Sequence, residues 1–279
     1  MASCVLFACS IKPGREFVLR LFLDSFVNVH KQSDIYIGIN PHSSDELVNI
    51  INEYELNTFV YHVDPNLYSE SDASAYQLCL KALLQSEKEY DNYWFIHTKS
   101  GFNSHSDYLR DWYISNFVSR KQEIELFFST NPGVGSYGIL GLEYDTNRIY
   151  QEHDVEISLW DNNISKDLPY THAKFFYIHT IYCLSKEPIK KFFNLVTDTW
   201  FNTKLNRYYF EGVFPFLVSR SGYFPYLENR FSMNGADLLH YIDSWIKENS
   251  LNQYNYLLNN FKTEYTFNQL QPPYVNRNA

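Results

Sequence analysis

Three features of this sequence predict an α/β fold with a mostly parallel central sheet flanked by helices. Short strand-like runs alternate with helical stretches through the first half of its 279 residues. Several of those runs are continuously apolar, as in Val5-Leu6-Phe7-Ala8-Cys9, which is the pattern of a strand covered on both faces. The helical stretches are long enough to return the chain to the same edge of the sheet, as parallel pairing requires.

The elements follow in order. After the first strand comes the turn Ser10-Ile11-Lys12-Pro13-Gly14, then Phe17, Leu19, Leu21, Phe22 and Phe26 at helical spacing up to His30. Asp34-Ile35-Tyr36-Ile37-Gly38-Ile39 reads as the second strand. Ser43-Ser44-Asp45-Glu46 has the spacing of a capping box, with Ser43 as N-cap, before a short helix carrying Leu47, Ile50, Ile51 and Tyr54. Phe59 to Val63 is the third strand, and a helix starts near Ser71. Tyr93-Trp94-Phe95-Ile96, ending at His97, is the fourth strand. One long helix is expected over Asp107 to Phe128 and a strand over Gly135 to Leu142.

The second half is less regular. Arg148 to Leu168 reads as a polar loop, Phe175 to Leu184 as a strand, and Pro188 sits in the first turn of a helix. Tyr208 to Ser219 reads as helical, with a short strand after Gly222 and C-terminal helices at Ala236–Lys247 and Tyr254–Phe261. Lacking a linker, repeat or low-complexity tract, the chain is expected to form one domain, with 1–142 as a nucleotide half and 143–279 as an acceptor half.

Charge and composition exclude several function classes. With 23 Lys+Arg against 32 Asp+Glu the net charge is −9, and no basic stripe is available to displace counterions from nucleic acid. No run approaches the ~18 apolar residues of a membrane span, and Met1 to Cys9 leads straight into a strand, unlike a signal peptide. Cys4, Cys9, Cys79 and Cys183 lack C-x-x-C spacing and read as buried and reduced. A soluble, cytoplasmic protein is expected.

Ligands of open α/β sheets lie beyond the carboxyl ends of the strands. That places interest on Ser10 to Arg15, Asn40 to His42, Asp64 to Ser74 and His97 to Gly101. The first segment lacks both the G-x-G-x-x-G fingerprint and the P-loop pattern, so a dinucleotide or P-loop site is not expected. Lys12 and Arg15 are either diphosphate contacts or solvated loop charges. The strand ending Trp94-Phe95-Ile96 delivers His97, Thr98 and Lys99 to the rim, where His and Lys can donate charge-assisted hydrogen bonds to a diphosphate. A Ser-His-Asp hydrolase finds no G-x-S-x-G elbow. A nucleotidyltransferase would want a Gly-rich basic loop where Ser10 to Arg15 holds a single Gly.

On these residues the chain resembles the GT-A fold of nucleotide-sugar glycosyltransferases. The run Phe95 to Ser100, with Arg110-Asp111-Trp112 and Asn131-Pro132-Gly133-Val134-Gly135, is similar to the rhamnan-synthesis type and to short glycosyltransferases of large algal viruses. That similarity is specific over Asp91 to Leu142 and architectural elsewhere. In the family the fourth strand ends in a metal-holding Asp-x-Asp motif, where this sequence has His97-Thr98-Lys99. The resemblance therefore implies a metal-independent enzyme, with Glu143 and Asp145 as the alternative place for Mn²⁺ or Mg²⁺.

Tyr208 to Leu217, followed by Gly222-Tyr223, resembles the segment that carries the acidic base of inverting members, which puts Glu211 in that role. It also implies that Ser10, Asp72, Tyr76 and Gln77 contact the donor and that Trp160 and His172 line the acceptor site. The expected partners are a nucleotide-sugar, a UDP-sugar before others, and a glycan or glycoprotein acceptor. The competing expectation is an inactive carbohydrate- or nucleotide-binding protein of the same fold.

Overall fold

The computed structural model describes residues 1–68, 71–99, 101, 107–143, 175–177, 180–196, 198–202, 204–205, 210, 214, 217–218, 223–228 and 230–231. The expected loop at Arg148–Leu168 and the two C-terminal helices lie outside the described residues. So do Asp145, Trp160, His172 and Glu211.

Strands β1 (Ser3–Cys9), β2 (Asp34–Ile39), β3 (Asn57–His62) and β4 (Asn92–His97) are all parallel. Between them run helices α1 (Phe17–Val29), α2 (Leu47–Asn52) and α3 (Asp72–Ser86). Helices α4 (Asp107–Asn116) and α5 (Lys121–Thr130) lead to β5 (Val134–Gly138) and β6 (Gly141–Glu143). Then come β7 (Phe175–Tyr177), β8 (Tyr182–Ser185), α6 (Lys186–Leu195), α7 (Asp198–Phe201), β9 (Phe224–Leu227) and β10 (Arg230–Phe231). The main sheet has the order β3-β2-β1-β4-β8-β5-β9, with β8 antiparallel to both neighbours; β10-β6-β7 form a second, small sheet. The mostly parallel sheet flanked by helices is the fold class the sequence predicts.

Both faces of β1 are covered, so its alternate residues belong to different cores. Val5, Phe7 and Cys9 pack with Ile35, Ile37, Trp94 and Ile96 beneath α1, α2, α4 and α5. Cys4, Leu6 and Ala8 pack with Tyr36, Tyr93 and Phe95 beneath α3, α6 and α7. Each large side chain buried this way contributes about 1.5–3 kcal/mol, which is why a continuous apolar run, rather than an alternating one, marks these strands. All four cysteines are buried and unbridged in these cores.

The structure departs from the sequence reading at four places. Ser43 does not cap α2; its hydroxyl accepts a 3.3 Å hydrogen bond from the Ile11 N–H, tying two loops together, and the N-cap position falls on Glu46 without a side-chain cap. The long helix over 107–128 is broken by a 3₁₀ turn at Val118–Arg120. There the Asn116 amide donates to the Trp112 carbonyl at 2.9 Å, and Phe117 is pulled into the core against Trp94, ring centroids 5.0 Å apart.

The strands expected over 135–142 and 175–184 are each divided in two, and they divide together. β5 pairs with β8 in the main sheet and β6 with β7 in the small one. The bend falls at Ile139-Leu140 on one strand and at Thr180, with φ +50°, on the other. At the bend Gly138 lies against the Tyr177 ring, where a Cβ would come within 2.4 Å of a ring carbon.

Candidate functional site

The chain runs outward from β1 to β2 and β3, then returns through α3 to place β4 on the other side of β1. The strand order therefore reverses between β1 and β4, and a crevice is expected beyond their carboxyl ends. Ser10 follows β1 there, and His97 and Thr98 stand at the end of β4.

Side chains knit this rim. The Thr98 hydroxyl accepts from the Ser10 N–H at 2.9 Å and donates to the Ser10 carbonyl at 3.2 Å. The Asn40 amide, just past β2, donates to the Ser10 hydroxyl at 2.8 Å. The Lys12 N–H donates to the Gly101 carbonyl at 3.2 Å. Gly101 lies so close beneath this loop that a Cβ would come within 1.8 Å of the Ser10 carbonyl oxygen, so only glycine fits.

His97 sits in the same layer as Ala8 and Gly38, its register partners across β1 and β2. Those two small residues let the first turn of α3 settle onto the sheet: a Cβ on Gly38 would meet the Ala75 carbonyl oxygen at 2.7 Å. The close approach brings Asp72, the first residue of α3, to His97, with Nδ1 2.9 Å from a carboxylate oxygen. The His97 side chain is 7% exposed and that of Asp72 33%. The other ring nitrogen, His97 Nε2, is buried and meets no hydrogen-bond partner among the described residues; nor does Asn40 Oδ1. A buried polar atom left open costs about 1–3 kcal/mol, so two such atoms at one rim call for an explanation.

The predicted site residues divide into three groups. Ser10 and Thr98 are joined by hydrogen bonds, and His97, next to Thr98, is joined to Asp72 by the 2.9 Å contact at Nδ1. Lys12 is exposed on the adjoining loop, and Lys99 follows half-buried after Thr98. Arg15 is engaged by Asp107, whose same oxygen takes Arg110 at 3.0 Å, and its guanidinium lies 4.8 Å over the Phe17 ring.

Tyr76 and Gln77 are fully buried one turn further along α3. The Tyr76 hydroxyl donates to the Thr180 carbonyl at 3.1 Å and the Gln77 amide to the Trp200 carbonyl at 2.6 Å. The reason is their position on the helix face that packs against β4 and α7, where a ligand contact would need an open surface. Glu143 ends β6 in the small sheet. The sequence reading marked the Asn40 segment but not Asn40 itself, nor Gly38 and Gly101. A polar residue directly after Gly-Ile in a buried strand was the signal available.

The donor set does not resemble an Asp-x-Asp metal clamp. At the β4 end Asp72 faces His97. Among the described residues no group of three or more His, Cys, Asp or Glu side chains is placed to hold a metal ion. None of the helices described is long and apolar enough to cross a membrane.

No protein-family model matches the chain, and no curated protein does. Solved structures do show a likeness. S. aureus TarS 1-349 in complex with UDP-GlcNAc is 13% identical over 52% of this chain, TM-score 0.33, and the chain spans only 35% of that protein. A putative nucleotide-diphospho-sugar transferase from Desulfovibrio desulfuricans G20 is 9% identical over 94% of this chain and 99% of its own, TM-score 0.40. Glucosyl-3-phosphoglycerate synthase from Mycobacterium tuberculosis, in complex with Mn²⁺, UDP and glucosyl-3-phosphoglycerate, is 12% identical over 88% of this chain and 77% of its own, TM-score 0.35. Likeness at this level carries no activity from those proteins to this one.

Proposed function

We propose that this chain is a glycosyltransferase that moves a sugar from a nucleotide diphosphate-sugar, a UDP-sugar first among them, to a glycan or glycoprotein acceptor. The observation that carries the reading is the rim at the strand-order reversal, where Ser10, Thr98, Asn40 and the His97–Asp72 pair converge and His97 Nε2 stays buried without a partner. A nucleotide would answer such a rim with its diphosphate at a protonated His97 Nε2 and a ribose hydroxyl or base N–H at Asn40 Oδ1, and Lys12, Lys99 and Arg15 supply positive charge. Tyr76 and Gln77 support the site from the core.

In the proposed reaction Glu211 takes the proton of the acceptor hydroxyl as its oxygen attacks the anomeric carbon. The bond from that carbon to the diphosphate breaks from the opposite face, inverting the configuration, and the electron pair leaves on the diphosphate. His97, Lys99 and Arg15 stabilise that growing charge. The reading is metal-independent, because His97-Thr98-Lys99 stands where an Asp-x-Asp clamp would be; Trp160 and His172 would line the acceptor site. One domain, 1–142 for the donor and 143–279 for the acceptor, working in the cytoplasm, completes the proposal. The narrower affinity with rhamnan-synthesis or algal-virus enzymes belongs to it as well.

The test is a thermal-shift panel of UDP, GDP, dTDP and CMP, each with Mn²⁺ and with EDTA, followed by turnover with the matching sugar donors. A nucleotide at ~100 times its dissociation constant adds about 2.7 kcal/mol of stability. Stabilisation in EDTA with turnover supports the reading. A shift confined to Mn²⁺ overturns metal independence. A shift without turnover supports the inactive binder, and no shift at all removes the donor site.

A further inference from the structure

Resting on that reading of the site, we propose that Asp72 is a positioning residue which makes capture of the donor's diphosphate a proton-coupled event at His97. One ring nitrogen of His97 is fixed on the Asp72 carboxylate at 2.9 Å, so Nδ1 carries a proton and the ring cannot turn. The sequence reading placed Asp72 on the donor, whereas its carboxylate lies on His97.

The remaining nitrogen, Nε2, decides what the site accepts. In neutral imidazole with Nδ1–H on a carboxylate, Nε2 is an acceptor and offers nothing to a phosphate oxygen; in imidazolium it is a charged donor. A buried charge needs a partner, and this ring has Asp72 on one nitrogen and no partner on the other. A diphosphate that reaches Nε2 therefore binds the imidazolium between two anions, and its binding draws a proton from solvent onto the ring. No covalent step is involved: the proton comes from water and leaves with the ligand.

The surroundings fit this role. Among the described residues, the titratable groups next to the pair are few. α3 contributes Asp72 itself. β1 contributes the Cys9 thiol, which burial and, secondarily, the Asp72 charge push well up, keeping it neutral. Lys99 follows in the same segment, and Lys12 and Arg15 lie on the loop after β1. Asp72 is thus the one anion paired with the ring before ligand arrives. Its hold depends on the small layer formed by Ala8 and Gly38, which admits the start of α3.

The experiment is calorimetric titration of UDP-glucose, whose diphosphate does not titrate near neutrality, into the whole chain in buffers of different ionisation heat. Inorganic pyrophosphate serves as a second probe. At pH 8 the wild type is expected to take up close to one proton per ligand, and affinity should fall by about tenfold per pH unit where the free ring is neutral. Asp72→Asn should weaken binding by about tenfold at pH 8 and much less at pH 5.5; a merely structural loss would be equal at both. His97→Gln should abolish proton uptake.

Binding of UDP-glucose without proton uptake in the wild type overturns the coupling and leaves the transferase reading intact. Uptake with pyrophosphate but no binding of any nucleotide-sugar sustains the coupling and sinks the transferase reading. Absence of binding by either probe overturns both.

Discussion

Two buried histidines, at opposite ends of the sheet, show what separates a site from a core. His30 ends α1 near the amino ends of the strands; His97 ends β4 at the carboxyl end. Both have an Nε2 that is buried without a hydrogen-bond partner. His30 is walled by Phe26 and Trp94, ring centroids 5.6 and 5.1 Å away, and its Nδ1 meets only the Ser33 hydroxyl at 3.3 Å. Burial, with a lesser push from the Lys121 charge, takes its imidazole down to about 3. His97 has a carboxylate instead. Burial alone therefore does not distinguish the two histidines; the carboxylate partner at the strand-order reversal does, and it is the ground on which His97 is proposed for the site.

The two ends differ in the same sense beyond the histidines. At the amino end Glu125 is held by the Ser3 hydroxyl and by Lys121 at 2.7 Å. Asp34 there receives Lys88 at 2.7 Å together with the Tyr90 hydroxyl and the Asn57 amide. Each of these carboxylates is answered from within the chain. Buried polar atoms without a partner occur at both ends, His30 Nε2 at the amino end and His97 Nε2 and Asn40 Oδ1 at the carboxyl end, so the difference lies in the carboxylate that His97 carries on its other nitrogen.

The largest expected effect falls on turnover. His97→Ala should lower kcat of the transferase by about 10²–10³-fold, the usual cost of removing one donor to developing charge. His30→Asn should leave kcat/KM within about twofold. Glu211→Gln should lower kcat by about 10²–10⁴-fold, the range of a lost general base, while nucleotide affinity holds. Steady-state kinetics with the donor found by thermal shift would check all three. Equal losses in the His97 and His30 variants would end the distinction between the two ends.

The second effect is on stability against pH and concerns His30. Its imidazole is lowered from 6.5 to about 3 on folding, so between those values the unfolded chain binds more protons. The stabilisation is present above pH 6.5 and is lost as pH falls toward 3, by up to about 1.4 kcal/mol per pH unit. Urea denaturation from pH 4 to 7 should show His30→Asn flattening the slope by nearly one proton. An unchanged slope would mean that His30 is reached by water in the folded state.

How much of this was legible follows from what kind of signal each feature leaves. The strands and α1 were readable because burial on both faces writes a continuous apolar run. The break at Phe117 left no trace, since Tyr113, Phe117 and Ile124 continue a helical spacing and the interruption comes from packing on Trp94. The bends that divide β5 from β6 and β7 from β8 were hidden for a similar reason, being forced by pairing between the two runs. That His97, Thr98 and Ser10 stand at one rim was legible because the end of a buried strand is a place the sequence marks. Tyr76 and Gln77 could not be sorted from Asp72 by sequence: they lie one turn further along α3, and only the packing of the helix shows that they are covered while Asp72, at its start, is not.

The smallest effect tests the layer beneath the carboxyl-end site. A methyl at Gly38 would have to share space with the backbone of Ala75, with the carbonyl oxygen at 2.7 Å and Cα at 2.8 Å, and neither is a flexible tip that can swing aside. Helix α3 must lift, at a cost of about 1–3 kcal/mol typical of overpacking. Because Asp72 opens that helix, the same lift draws its carboxylate from His97 Nδ1. Gly38→Ala is thus expected both to lower stability in urea and to weaken nucleotide binding at pH 8. Gly133→Ala is the control, since its added methyl would meet only the Phe224 ring at 3.4 Å. A Gly38→Ala protein destabilised as expected but with undiminished nucleotide affinity would show that the pair survives movement of α3, and that the small layer serves packing alone.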